Sequence, residues 1–199
     1  MIKNKRQFIS NSVSLLLGAS SVLMRSADAT VSKQEDGQVI LTVTGAIDQP
    51  NRGKFDSVLD QLMHKHGIHF ERAYQFTLAD LAKLPAVSIR PTMEYDAQVH
   101  QLSGPRLIDV LDAAGLNKSN AKKILLHGID GYSPELSLDL AQKYNFILAT
   151  HIDGKLLHVG GFGPLFALYD ADRFPEAAQK PLSQRFTQCP WGLYCIELI

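Results

Sequence analysis

Ile124-Leu125-Leu126-His127-Gly128-Ile129-Asp130-Gly131-Tyr132 opens the stretch that decides the fold, and Gly160-Gly161-Phe162-Gly163-Pro164-Leu165-Phe166-Ala167-Leu168-Tyr169 closes it. The first segment is an apolar run that breaks into a glycine-bracketed turn at Asp130. The last is a glycine-rich loop feeding a second apolar run. Between them, Phe146 to Leu157 carries Asp153-Gly154, a pair that signals a hairpin. Short strands with glycines and aromatic residues at their ends describe a rigid sheet with open loops, where flat ligands usually sit.

Outward from that stretch, Gln38 to Ile47 is rich in β-branched residues and reads as a strand. Phe55 to His64 places Phe55, Val58, Leu59, Leu62 and Met63 at helical spacing. Ala73 to Phe76 reads as a short strand. Thr77 to Pro85 reads as a compact helix, capped by Thr77 with Asp80 and stopped by Pro85. Ala86 to Arg90 alternates as a strand, and a further short strand is expected around Gln98 to Leu102. Gly104 to Gly115 reads as a helix opened by Pro105, with Leu107, Val110, Leu111 and Ala114 on one face. Asp139 to Lys143 reads as a helical turn, and Trp191 to Ile199 as a final strand. Several short strands with a few helices between them predict a mixed α+β domain.

The chain has 199 residues, with 20 basic and 20 acidic, so its charge does not suggest a nucleic-acid binder. Residues 1–29 read as a secretory signal peptide: Lys3, Lys5 and Arg6 precede an apolar run, and Ala27-Asp28-Ala29 offers a cleavage site. The expected mature chain, residues 30–199, is one domain. Removing the signal takes away four basic residues (Lys3, Lys5, Arg6, Arg25) and one acidic residue (Asp28), leaving a slight acidic excess. Export predicts a periplasmic, oxidising location. The two cysteines, Cys189 and Cys195, either form a disulfide or remain free thiols. If Trp191 to Ile199 is one continuous strand, the spacing disfavours the bridge.

His64, His66 and His69 lie close in sequence, but on a polar segment they read as solvated rather than metal-binding. No Gly-x-Ser-x-Gly elbow is present. Asp153 reads as a turn residue. Asp130, before Tyr132 at a strand end, offers a carboxylate to an amino-bearing ring. Tyr95, Tyr132, Phe162 and Trp191 fall at loop ends, where two on opposite walls would stack a planar ligand. Arg90, Arg106 and Arg173 lie near these loops.

The order of motifs is more specific than any one of them. A first strand ends in Gly45, and Phe76-Thr77-Leu78-Ala79-Asp80-Leu81 follows. Next come Gly104-Pro105-Arg106-Leu107-Ile108-Asp109-Val110-Leu111, Asp130-Gly131-Tyr132 and Leu148-Ala149 with Asp153-Gly154-Lys155-Leu156. Gly163-Pro164-Leu165 and a Trp-bearing last strand complete the series. This pattern resembles the molybdopterin-binding domain of the sulfite oxidase family over roughly residues 38–199. The resemblance implies a sulfite oxidase-like α+β fold with mainly antiparallel or mixed sheets and short helices. It also implies a molybdenum-binding cysteine between Arg90 and Gly104, where this sequence has none.

Some small exported members of that fold bind free reduced pterins and act as periplasmic sensors. They dock onto the periplasmic domain of an inner-membrane diguanylate cyclase or phosphodiesterase. The resemblance therefore implies a non-catalytic, periplasmic pterin-binding protein that relays ligand status to such a receptor. Tyr95, Phe162 and Trp191 are the expected stacking residues, with Tyr132 beside them. Asp130 is expected at the amino-pyrimidinone edge, and Arg90 and Arg173 at a carbonyl or side chain. The alternatives are a molybdenum-cofactor oxidoreductase of the sulfite oxidase type and an interaction module with a vestigial pocket.

Overall fold

The computed structural model describes residues 37–199. The expected signal peptide lies outside the described residues. In chain order the elements are β1 (Val39–Gly45), α1 (Gln61–Lys65), β2 (Ala73–Thr77), α2 (Leu78–Ala82), β3 (Ala86–Ile89), β4 (Leu102–Pro105) and α3 (Leu107–Ala113). They continue with β5 (Lys123–Gly128), β6 (Glu135–Ser137), α4 (Leu138–Lys143), β7 (Ile147–Ala149), β8 (His151–Ile152), β9 (Lys155–Leu156) and β10 (Leu165–Leu168). A 3-10 turn at Ala171–Arg173, α5 (Pro175–Ala178), α6 (Leu182–Arg185) and β11 (Trp191–Leu198) complete the chain. This is the expected α+β class, with mixed and antiparallel sheets and short helices. Among the described residues no helix is long and apolar enough to cross a membrane.

β11 is the hub of a seven-stranded sheet. It runs parallel to β1, with Thr42 opposite Cys195, and antiparallel to β5, with Ile196 opposite Leu126. Its first residue, Trp191, lies opposite Phe166 of β10. Both faces of β11 are covered, which is why it reads as a nearly continuous apolar run. Leu193, Ile196 and Leu198 join the main core, whereas Cys195 packs with Met63, Ile68, Phe70 and Ala73 in a smaller second cluster.

β3, β4, β8 and β9 form a four-stranded sheet. It meets the larger sheet where β4 crosses β7. A Cβ on Gly104 would lie 1.9 Å from the Leu148 carbonyl oxygen, so the crossing requires glycine. The hairpin turn at Asp153-Gly154 forms as expected, with φ of 48° and 75°. Its leading strand is divided, however: β7 belongs to the large sheet and β8 to the small one.

Three expectations about local structure are corrected. The helix expected from Phe55 to His64 is only Gln61–Lys65. The Asp56 carboxylate accepts the backbone N–H groups of Val58 and Leu59, closing a separate turn that competes with the helix. Val58 and Leu59 are consequently 73% and 82% exposed. The short strand expected at Gln98–Leu102 begins at Leu102 instead. Gly104 and Pro105 belong to that strand, opposite Val87 and Ala86, and the helix starts only at Leu107. By contrast, α2 has the expected capping box: Thr77 Oγ1 accepts the Asp80 N–H at 3.1 Å, and Asp80 accepts the Thr77 N–H at 3.0 Å.

Candidate functional site: an aromatic cavity beside an acidic one

The start of β11 draws two loops together. Gly192 N–H donates to the Phe162 carbonyl, and the Ile129 N–H donates to the Gly192 carbonyl, both at 2.9 Å. Gly192 has φ of 63°, and a Cβ there would meet Ile129 Cγ1 at 2.8 Å. Glycine therefore lets the strand pass between the Gly128–Ser133 turn and the Gly160–Gly163 loop. Trp191 Nε1 then donates to Tyr95 Oη at 3.0 Å, fixing the segment after β3 to the same place. Tyr95 and Phe162 rings lie 5.4 Å apart at 37°, and Phe162 stacks on Phe166 at 5.4 Å.

Two cavities flank the Tyr95–Trp191 pair. One, of about 470 Å³, is walled by Tyr95, Ile129, Phe162, Trp191 and the Gly160-Gly161 backbone. Its volume lies in the range that holds a small planar molecule. The other, of about 180 Å³, carries Glu94, Asp130, Tyr132 and Thr187 together with the same Tyr95 and Trp191. Asp130 Oδ1 accepts the Tyr132 N–H at 3.0 Å, leaving Oδ2 without a hydrogen-bond partner among the described residues. Tyr132 Oη donates to the Thr187 carbonyl. Burial, then Glu94 and more weakly Asp130, raise the Tyr95 phenol above its ordinary value of 10.0.

Five of the seven residues expected in the site, Tyr95, Asp130, Tyr132, Phe162 and Trp191, line these cavities. The two arginines do not. Arg173 lines a separate cavity of about 390 Å³, with Ile89, Tyr144, Asp170 and Phe174. Arg90 is exposed, and its backbone N–H faces Asp170 at 3.4 Å. β3 ends just before Arg90 and the 3-10 turn carries Arg173, so both belong to the neighbourhood of Asp170 rather than to the start of β11. Glu94 is a site residue that the sequence reading misses. Its only sequence signal is adjacency to Tyr95.

The His64, His66, His69 segment does not form a metal site. His66 Nδ1 bonds Tyr194 Oη at 2.8 Å, His69 Nδ1 bonds the Gly67 carbonyl at 3.1 Å, and no group suited to a metal ion occurs among the described residues. The two cysteines are free thiols, so the bridge considered for them is absent. Cys189 belongs to the main core and Cys195, inside β11, to the second cluster.

A model of the oxidoreductase molybdopterin binding domain family matches residues 31–165. The chain belongs to this family. The matched span contains Tyr95, Asp130, Tyr132 and Phe162, whereas Trp191 lies beyond it. No curated protein matches the chain. Among solved structures it is similar to the sulfane dehydrogenase SoxCD from Paracoccus pantotrophus, at 13% identity and a TM-score of 0.52. That likeness covers 79% of this chain and 37% of the other, and it shows the fold.

Family membership implies molybdopterin, so the donor set must be compared with that cofactor. Metal ligation by cysteine requires an ionised sulfur. Burial pushes both thiols up, and Glu94 adds to the effect at Cys189 and Glu197 at Cys195. Cys189 is 5% exposed and Cys195 fully buried, and the chain has no third cysteine. These thiols do not fit a molybdenum ligand. The aromatic walls offer ring faces to a planar molecule.

Proposed function

We propose that this protein binds a reduced pterin without molybdenum and performs no catalysis. We further propose that it is exported to the periplasm. There it relays pterin occupancy to the periplasmic domain of an inner-membrane receptor that makes or degrades cyclic di-GMP. The observation that carries the reading is the convergence of Tyr95, Phe162 and Trp191 on one cavity, with Asp130 on its neighbour.

A pterin offers two faces to stack and an amino-pyrimidinone edge that a carboxylate receives through paired hydrogen bonds. The signal-like residues 1–29 support export. The relay is supported by the rim: Tyr95 and Tyr132 are 57% and 49% exposed, so a docked partner would touch residues that also touch the ligand. Calorimetry and thermal shift with a panel of reduced and oxidised pterins test the binding. Heat of binding and a raised Tm are expected with reduced pterins, and no response across the panel overturns the reading.

The family match favours a second reading, a molybdenum-cofactor oxidoreductase with unusual ligation. Elemental analysis of protein made in a cofactor-competent host separates the two. Stoichiometric molybdenum would replace the first reading with the second.

A further inference from the structure

We propose that the paired cavities select their ligand by charge: they take a planar ring with a hydrogen-donating, uncharged or cationic edge and reject one bearing a phosphate or carboxylate tail. The inference rests on the pterin reading and narrows its ligand class to free pterins, against phosphorylated pterins and glutamate-bearing folates.

The donors and acceptors of the acidic cavity are unequally committed. Trp191 Nε1–H is used by Tyr95 Oη, and the Tyr132 hydroxyl by the Thr187 carbonyl. Glu94 lies near enough to the Tyr95 hydroxyl to raise its pKa, second to burial. What remains open is acceptor capacity, on Glu94 and on Asp130 Oδ2. An ionised carboxylate offers about four lone-pair sites and no donor. Neither Glu94 nor Asp130 has an ion-pair partner among the described residues. Among the described residues no lysine or arginine lines either cavity. The nearby negative charge also reaches Tyr95 and Cys189, whose ionisation it opposes.

An amino-pyrimidinone edge presents ring N–H and amino donors, which complements this surface. A phosphate would place a third negative group beside the half-buried Glu94 and the exposed Asp130, neither with an ion-pair partner among the described residues. Repulsion between these like charges opposes binding and is strongest at low ionic strength. The single-sign lining thus gives specificity through repulsion as well as attraction.

The sole tryptophan, Trp191, stands in the wall common to both cavities, so its fluorescence reports occupancy of either. The chain is titrated with hydroxymethyl-dihydropterin and with its phosphate monoester at low ionic strength. The neutral compound is expected to bind about tenfold tighter or better. The gap is expected to narrow as salt screens the carboxylates. In the double variant Glu94→Gln, Asp130→Asn the two compounds should bind alike. The amide that replaces the Asp130 carboxylate keeps an oxygen for the Tyr132 N–H, and circular dichroism checks the fold.

Equal affinities in the unaltered chain, or an undiminished gap in the double variant, overturn the charge selection and leave the pterin reading standing. If neither pterin quenches Trp191 or releases heat, the pterin reading fails. An aminomethyl-quinoline and a quinoline carboxylate then decide the charge rule. Preference for the amine sustains it, and equal or reversed affinity overturns it.

Discussion

Trp191 and Tyr95, 96 positions apart in the chain, are joined by a 3.0 Å hydrogen bond from the indole Nε1–H to the phenol oxygen. Both residues line both cavities, so the bond sits where the two meet. It binds the first residue of the hub strand to an otherwise exposed loop. Trp191→Ala removes both a stacking surface and this tether, and should weaken pterin binding about tenfold or more. Trp191→Phe keeps the ring and loses only the bond, which is worth about 1 kcal/mol. Calorimetry on both variants separates the two contributions. Unchanged affinity in Trp191→Ala would remove Trp191 from the site.

Gly104 is the tightest backbone crossing between the two sheets. A methyl group there meets the Leu148 carbonyl oxygen at 1.9 Å and its carbonyl carbon at 2.8 Å. Backbone cannot yield as a side chain does, so Gly104→Ala should cost about 3 kcal/mol or more. Urea unfolding would show it as a lowered midpoint. A midpoint within error of the unaltered chain would mean that β4 and β7 separate without loss of stability.

Thr77 is buried and forms both halves of the capping box on α2. Thr77→Ala leaves the Asp80 N–H unsatisfied and removes the hydroxyl's bond to Asp80 Oδ2, while the backbone N–H at position 77 still donates to that carboxylate. The expected loss is about 1 to 2 kcal/mol. Thr77→Ser keeps the oxygen and should restore most of it, as read by the same denaturant midpoints.

His100 is held between two carboxylates, Asp153 Oδ2 on Nδ1 at 2.6 Å and Asp96 Oδ2 on Nε2 at 2.9 Å. Hydrogen bonds to Asp153 and then Asp96 raise its pKa above the ordinary 6.5, and its own bonds lower theirs below 3.8. The raised histidine stabilises the fold fully below pH 6.5 and loses that contribution as pH rises through its folded value. The depressed aspartates contribute above pH 3.8 and lose their share as pH falls through their folded values. The tether between the Tyr95 loop and the β8–β9 turn is therefore complete between those limits. The stability advantage of the unaltered chain over His100→Gln should be greatest near the middle of that window and shrink on the alkaline side. A difference independent of pH would show that the cluster is not charged.

Both thiols should resist a disulfide reagent while the protein is folded, since each is buried and held protonated. Reaction should occur at the rate of unfolding, and faster in denaturant. Fast native-state reaction at Cys189 would instead show an ionised sulfur in the acidic cavity and revive the question of metal binding.

The elements legible in the sequence are those set by local chemistry. Thr77 and Asp80 announce a capping box within four residues, and Asp153-Gly154 announces a turn through its backbone preference. β1 declares itself by its β-branched residues and β11 by its nearly continuous apolar run. The segment from Phe55 to His64 misleads because its helical spacing is real, while Asp56 diverts the backbone N–H groups that a helix would need. Gly104-Pro105 misleads for the opposite reason. Its residues suit a helix start, but pairing with Val87 and Ala86 holds them in a strand. Tyr95, Asp130, Tyr132, Phe162 and Trp191 are recognisable as loop-end residues, yet Arg90 and Arg173 meet the same criterion and lie elsewhere.

By itself, then, the sequence determined the α+β class, the turns, the caps and the aromatic residues at loop ends, because each depends on neighbours within a few positions. Its lack of a cysteine between Arg90 and Gly104 also set the question of metal binding. Only the tertiary structure decided which loop ends meet. β11 joins β1, β5 and β10, and Gly192 draws the Phe162 and Ile129 backbones to one end of it. Long-range pairing of this kind has no local signature. It also placed Glu94 and Asp130 in one cavity with no lysine or arginine among the described residues that line it, an arrangement that only the folded chain produces.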